Sequence, residues 1–220
     1  MLVLNLARRR AAAAINKNIR ISSSFSSQNT IKYKNQKNIC RTYIGDGAMN
    51  NGQVFEAFNL AALWSLPVLY IIENNMYGMG TAVNRAAAGS DLYKRGESFG
   101  INGTIVDGMN VFQVIDAAQK AGPFVREGNG PYILEVQTYR DSGHAMSDPA
   151  KYRSKEELEN YKLNDPLEIA SQEIIKKKIA SKKDLENINK KIIKEIKDAA
   201  DYALDSPFPA DEDLYTNVYL

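Results

Sequence analysis

The sequence holds one cysteine, Cys40, which excludes an internal disulfide framework and suits a reducing compartment. No apolar run approaches the ~18 residues that a membrane-spanning helix requires. No internal repeat is present. The first 40 residues contain no aspartate or glutamate, against eight lysines and arginines. Beyond them stand 20 basic and 26 acidic residues, so the overall charge of +2 joins a basic head to a mildly acidic body. Such a body argues against nucleic acid as the main partner.

What is present begins with that head, MLVLNLARRRAAAAINKNIRISSSFSSQNT. It is rich in Arg, Ala and Ser and free of acids, the composition of a mitochondrial transit peptide addressed to the matrix. A disordered basic tail or a misplaced gene start has the same composition. The full 220 residues, 44% hydrophobic and 25% charged, suit one soluble domain with a sizeable core, or a domain with an appendage.

From Lys37 onward, strand-like and helix-like patterns alternate. Residues 39–47 are β-rich and end in Gly, predicting a strand and a turn. Residues 51–65 place apolar side chains at helical spacing. Residues 67–75 form an apolar run ended by two asparagines, as in a strand buried on both faces. A short strand at 104–108, a helix to about Glu127 and a strand at 131–140 follow. The alternation predicts an α/β fold, a parallel sheet flanked by helices, over residues 31–160. Residues 161–220 read as a helical C-terminal tail. Within the wider helical region, Ser154 with Glu157 and Ser181 with Asp184 match helix-capping pairs. The long link after Asn75 and the loop after Arg140 read as irregular, at strand ends where α/β proteins place ligands.

Asp46 lies between Gly45 and Gly47 at the end of the first strand. Glycines there permit a sharp turn and a close approach of backbone N–H groups to phosphate. Taken alone, such a triplet is more often a plain turn. Asn75 ends the next strand, and adjacent parallel strands lie ~5 Å apart. Asp46 and Asn75 could thus share one Mg²⁺, with the Tyr77 carbonyl as a third protein ligand and a diphosphate completing the shell. The start of the 51–65 helix would add N–H donors.

A Gly-Asp-Gly followed at this distance by Asn-Asn resembles the thiamine diphosphate signature. The wider match, GDGAMNNGQVFEAFNLAALWSLPVLYIIENNMYGMGT with VDGMNVFQV, GPYILEVQTYR, GHAMSDPAKYRSKEEL and DSPFPADEDLYTNVY, resembles the alpha subunits of the pyruvate-type 2-oxoacid dehydrogenases. It spans roughly residues 31–220. The resemblance implies a thiamine-diphosphate-binding fold in an α2β2 heterotetramer with a beta subunit. It implies an oxidoreductase that decarboxylates pyruvate oxidatively and passes the acetyl group to lipoamide on an acetyltransferase component. It also implies roles: Asp46, Asn75 and the Tyr77 carbonyl on Mg²⁺; Gly45, Gly47 and Ala48 along the diphosphate; His144 toward cofactor and reacting substrate. His144 is the sole histidine and sits beside a glycine in a loop. Arg140 and Arg153 flank that loop, either as plain surface arginines or as its anchors. Tyr93, Lys94 and Arg95 are expected to order the long link against a neighbouring subunit.

Two departures from the family stand out. A phosphorylated serine follows the matching histidine in the regulated mitochondrial members; here the position is Ala145, and Ser147 is a weaker candidate. Asp141 and Ser142 replace aromatic and basic residues. The family also carries a long portion before this region, so an open sheet edge is expected. The alternative to a catalytic subunit is an incomplete fragment that binds the beta subunit, or a truncated gene reading.

Overall fold

A computed structural model of the chain describes Arg20–Ile21 and residues 30–216. The transit-like segment therefore falls outside the described residues, apart from Arg20–Ile21 and Thr30. The chain forms two compact units, one ending at Ala170 and one beginning at Ser171.

The first unit is built on a five-stranded parallel sheet. Its strands are β1 (Arg20–Ile21), β2 (Cys40–Gly45), β3 (Val68–Asn74), β6 (Asn102–Asp107) and β7 (Tyr132–Gln137), in the order β1-β2-β3-β7-β6. The four strands read from the sequence are all present. β7 inserts between β3 and β6, an order that the pattern of residues does not reveal. Among the described residues β1 pairs only with Cys40 and Arg41, so the rest of β2 has no neighbour on that side.

β3 is central, and apolar side chains leave it on both faces. On one face Phe58, Tyr70, Ile72 and Ile133 join a cluster covered by helix α1 (Gly52–Leu63). The Phe58 and Tyr70 rings meet edge to face with centroids 4.8 Å apart. On the other face Ile39, Leu69 and Leu134 meet Ala121 and Val125 of helix α3 (Val111–Arg126). Each helix starts on an asparagine whose side chain accepts a backbone N–H: Asn51 from Gln53, and Asn110 from Phe112 and Gln113.

The link after β3 is more ordered than its sequence suggests. It holds a hairpin, β4 (Tyr77–Gly78) with β5 (Thr81–Ala82), a short helix α2 (Val83–Ala86) and a 3₁₀ helix at Leu92–Phe99. Gly96 allows that 3₁₀ helix to lie on the sheet: a Cβ there would fall 2.4 Å from the Ile133 side chain. No helical or strand periodicity is required for such a segment, which is why it read as irregular.

Helix α4 (Lys155–Lys162) begins at Ser154, whose side chain accepts the Glu157 N–H at 3.0 Å. The expected return bond from Glu157 is not made, because its carboxylate faces the site described below. α5 (Pro166–Lys176) was not distinguished in the sequence as a separate helix. Its signals were Asp165, which accepts the Leu167 N–H at 2.7 Å, and Pro166 in the first turn. In the second unit α6 (Lys182–Asp205) opens on a full capping box between Ser181 and Asp184. Helical spacing puts Leu185, Ile188, Ile192, Ile196, Ala199 and Ala203 on one face of it, yet of these only Ile192 is buried; Ile188 and Ile196 are exposed. Among the described residues no helix is long and apolar enough to cross a membrane.

Phe58→Ala is expected to cost about 3–5 kcal/mol of stability, the range for a fully buried aromatic. Urea unfolding followed by the fluorescence of Trp64 measures it, and a loss under about 1 kcal/mol would contradict this packing.

Candidate functional site

The register of β2 on β3 brings the predicted residues together. Gly45 lies opposite Glu73, so Asp46 and the two asparagines leave neighbouring strands at one end of the sheet. Asp46 is 4% exposed, and its Oδ2 is buried without a hydrogen-bond partner. Burial raises its carboxyl above the usual range; its own N–H, those of Gly47 and Asn75, and the charge of Arg140 pull the other way. The Asn75 backbone is thus close enough to act on the Asp46 carboxylate.

Two successive asparagine turns shape the chain after β3. Asn74 Oδ1 accepts the Met76 N–H at 3.0 Å, and Asn75 Oδ1 accepts the Tyr77 N–H at 3.1 Å. Between them Met76 adopts φ 71°, a left-handed conformation uncommon for a side chain of its size. The hairpin that follows approaches the Asp46 turn from the side. A Cβ on Gly47 would lie 3.5 Å from Gly78 Cα, while one on Gly45 would meet nothing within 4 Å. Gly47 has φ −64°, so the turn itself does not require glycine. What these glycines leave is space beside the carboxylate, rather than an unusual backbone.

Ala48 opens a 3₁₀ turn, Ala48–Asn50, that separates Asp46 from α1. At the start of α1, expected to add N–H donors, Asn51 Oδ1 takes the Gln53 N–H, and the 3₁₀ turn stands between α1 and Asp46.

His144 lies exposed in the loop after Arg140. Its N–H donates to Asp148 Oδ2 at 2.7 Å, and its Nδ1 sits 3.2 Å from Arg140 Nη1. Arginine only donates, so Nδ1 accepts, and the proton of a neutral ring then resides on Nε2. Nε2 is left as a donor, suited to an anionic oxygen. Arg140 Nη2 also reaches the Met79 carbonyl at 2.5 Å and Tyr152 Oη at 2.7 Å, tying the loop to the hairpin. Arg153 donates to the carbonyls of Arg140 and Asp141 and lies over the Tyr139 ring at 5.3 Å. Both arginines therefore anchor the loop.

Tyr93, Lys94 and Arg95 find partners within the chain. The Tyr93 N–H donates to Glu135 Oε2, Lys94 pairs with Asp91 at 2.6 Å, and Arg95 Nη1 reaches the Met49 carbonyl at 2.7 Å.

Among the described residues no group of three His, Cys, Asp or Glu could hold a metal ion. A set of one carboxylate, one amide oxygen and one backbone carbonyl suits a hard cation whose other ligands come from phosphate and water. Asn75 Oδ1 retains a second lone pair for that purpose. The dehydrogenase E1 component family model matches residues 10–212. The chain belongs to the dehydrogenase E1 component family. The pyruvate dehydrogenase E1 component subunit alpha of Rickettsia felis is 54% identical over 188 residues, covering 86% of this chain and 58% of that protein. The subunit of the same name from Rhizobium meliloti is 48% identical over 190 residues, covering 86% and 55%. The mitochondrial one from Sminthopsis macroura is 46% identical over 190 residues, covering 86% and 52%. The chain thus spans little more than half the length of these relatives.

Two carboxylates that this E1 chain places against the site did not stand out in its sequence as site residues, Glu157 reading only as a capping partner of Ser154. Glu157 Oε1 accepts the hydroxyls of Tyr77 at 2.8 Å and Tyr139 at 2.9 Å. Burial and that carboxylate push the Tyr77 phenol up to about 12, so it stays protonated and keeps donating at neutral pH. Glu135 is wholly buried in β7. Its only signal was a charged residue inside an apolar strand.

Asp148 holds the His144 loop through three accepted hydrogen bonds, from the His144 N–H, the Ala150 N–H and the Tyr152 hydroxyl at 2.7, 2.8 and 2.9 Å. These bonds hold its carboxyl below the usual range. Because the pKa of the ordered loop is the lower one, the ordering it supports is present above the ordinary carboxylate pKa and is lost as pH falls through the depressed value. Amide chemical shifts of His144 and Ala150 should show one transition below the ordinary carboxylate range, absent in Asp148→Asn. A midpoint at or above that range would contradict the assignment.

Proposed function

We propose that this chain acts as the alpha subunit of a pyruvate dehydrogenase E1 component, binding thiamine diphosphate through Mg²⁺ held by Asp46, Asn75 and the Tyr77 carbonyl. The observation that carries the reading is the buried, partnerless Oδ2 of Asp46 beside Asn75. An orphaned buried carboxylate oxygen is costly unless something pairs with it, and a bound cation supplies that pairing. The names of relatives near 50% identity support pyruvate as the substrate.

Thiamine diphosphate, when bound, supplies the nucleophilic carbon and the electron sink for oxidative decarboxylation of pyruvate, the acetyl group going to lipoamide of the acetyltransferase component. The chain's own residues bind and orient. Gly45, Gly47 and Ala48 leave room and backbone for a diphosphate. Arg140 holds His144 with Nε2–H free to donate to a diphosphate oxygen or to charge developing on the substrate oxygen. Asp148 and Arg153 keep that loop in place. A beta subunit completes the site in an α2β2 assembly. A mitochondrial matrix location is supported by the acid-free basic head and by the name of the Sminthopsis relative, while the Rickettsia relatives are bacterial.

The test is calorimetric titration of the full chain with thiamine diphosphate, with and without Mg²⁺. Asp46→Asn should weaken Mg²⁺-dependent binding more than about 100-fold, beyond the 10–100-fold typical of changes behind the ligands. The raised pKa of Asp46 means its charge disfavours the metal-free fold at pH above that pKa, so the thermal midpoint of metal-free Asp46→Asn should not fall. Unchanged affinity in this variant would reject the site. Co-expression with a beta subunit then separates turnover of pyruvate with an artificial electron acceptor from assembly without turnover; the latter would reject the catalytic reading.

A further inference from the structure

Glu135 sits at the middle of the sheet with Ile72 opposite on β3 and Ile105 opposite on β6. It is 0% exposed. A carboxylate is costly to bury, and here both oxygens are used by neutral amides. Oε1 accepts Asn74 Nδ2 at 2.8 Å, and Oε2 accepts the Tyr93 N–H at 2.9 Å.

We propose that Glu135 is a positioning residue for the cation site, setting the direction of the Asn74 amide and through it the turn that carries Asn75 and Tyr77. The inference rests on the function proposed above only for the identity of the cation. The local chemistry stands on its own. The two ends of an asparagine amide have nearly the same shape and opposite hydrogen-bonding character. Glu135 accepts at both oxygens, one from the Tyr93 N–H and one from Asn74, so it meets the NH₂ end of the Asn74 amide. That leaves Oδ1 for the Met76 N–H, which requires an acceptor. Were the amide reversed, its NH₂ would face the Met76 N–H, donor against donor. Met76 would then lose the bond that holds its left-handed φ of 71°. The following turn, Asn75 Oδ1 to Tyr77 N–H, has Met76 at its centre.

The other oxygen of Glu135 reaches the opposite side of the site. Its bond to Tyr93 lies in the first turn of the 3₁₀ helix Leu92–Phe99. From the same helix Arg95 Nη1 donates to the Met49 carbonyl, three residues beyond Asp46. One buried carboxylate therefore joins the segment bearing Asn75 and Tyr77 to the helix that steadies the Asp46 turn.

This predicts an exchange of partners. Glu135→Gln offers one donor and one acceptor where two acceptors are needed, so either Tyr93 or the correct orientation of Asn74 is lost. Adding Asn74→Asp reverses the pair: Gln Nε2 donates to one Asp oxygen, the other Asp oxygen accepts Met76, and Gln Oε1 accepts Tyr93. The net charge is conserved. Because the swap moves a charge next to Asn75, Mg²⁺ affinity alone does not isolate positioning. The deciding readout is amide hydrogen exchange at Met76 and Tyr77 in the metal-free full chain. Exchange should be slow in wild type, at least about tenfold faster in Glu135→Gln, and slow again in the swap. With thiamine diphosphate present, the apparent Mg²⁺ affinity of Glu135→Gln should fall about 10–100-fold. Slow exchange in Glu135→Gln, or a folded swap that exchanges as fast as Glu135→Gln, would overturn the inference. If Glu135→Gln does not fold, slow exchange in both wild type and swap supports it, and fast exchange at Met76 in wild type overturns it. If wild type fails to bind Mg²⁺ and thiamine diphosphate, the functional reading falls while the exchange rates still decide the role of Glu135.

Discussion

The parallel pairing of β2 with β3 is the constraint on which the rest of the molecule depends. With Gly45 set opposite Glu73, Asp46 and Asn75 emerge at one end of the sheet. A slip of one residue would turn the side chains of either strand to the opposite face. Two apolar clusters, one on each face, prevent that slip. Core packing thus fixes a polar geometry.

Around this pairing the polar groups form a graded set. Asn74, Asn75 and Asp148 satisfy backbone N–H groups of their own turns. Arg140 and Arg153 satisfy carbonyls of the hairpin and the His144 loop. Glu135 and Glu157 sit behind, each accepting two hydrogen bonds from different segments. Among these carboxylates and amides Asp46 stands apart, since one of its buried oxygens has no partner; Arg140 and Arg153 each bury an unpartnered Nε as well. A buried carboxylate oxygen without a partner is costly, which is why the proposed function rests on it, and Gly45 leaves space beside it.

Much of this was legible in advance because strands buried on both faces leave continuous apolar runs and their ends show as abrupt polar residues. Asp46 and Asn75 are such ends, and α1 follows the helical spacing of its apolar residues; the asparagine caps of α1 and α3 showed only in the structure. The link between β3 and β6 was not legible. Its order comes from Gly96 against Ile133 and Arg95 on Met49, contacts between residues distant in sequence, together with the tight local turn in which Asn74 holds Met76. The same cause hid Glu157: its local pattern with Ser154 matches a capping box, but two tyrosine hydroxyls from elsewhere take its carboxylate. The apolar face of α6 shows the converse, a clear periodicity of which only Ile192 is buried.

The sequence by itself determined the α/β class, the strand ends bearing Asp46 and Asn75, the loop bearing His144 and the resemblance to an E1 alpha subunit. These follow from period, from punctuation by glycine and asparagine, and from short motifs, all of which are local. Only the tertiary structure decided that β7 lies between β3 and β6, that the hairpin glycine Gly78 faces Gly47, and that Glu135 receives Asn74. Strand order and the partners of buried polar groups depend on which distant segments pack together. A residue's local pattern carries no record of the group that will face it across the sheet.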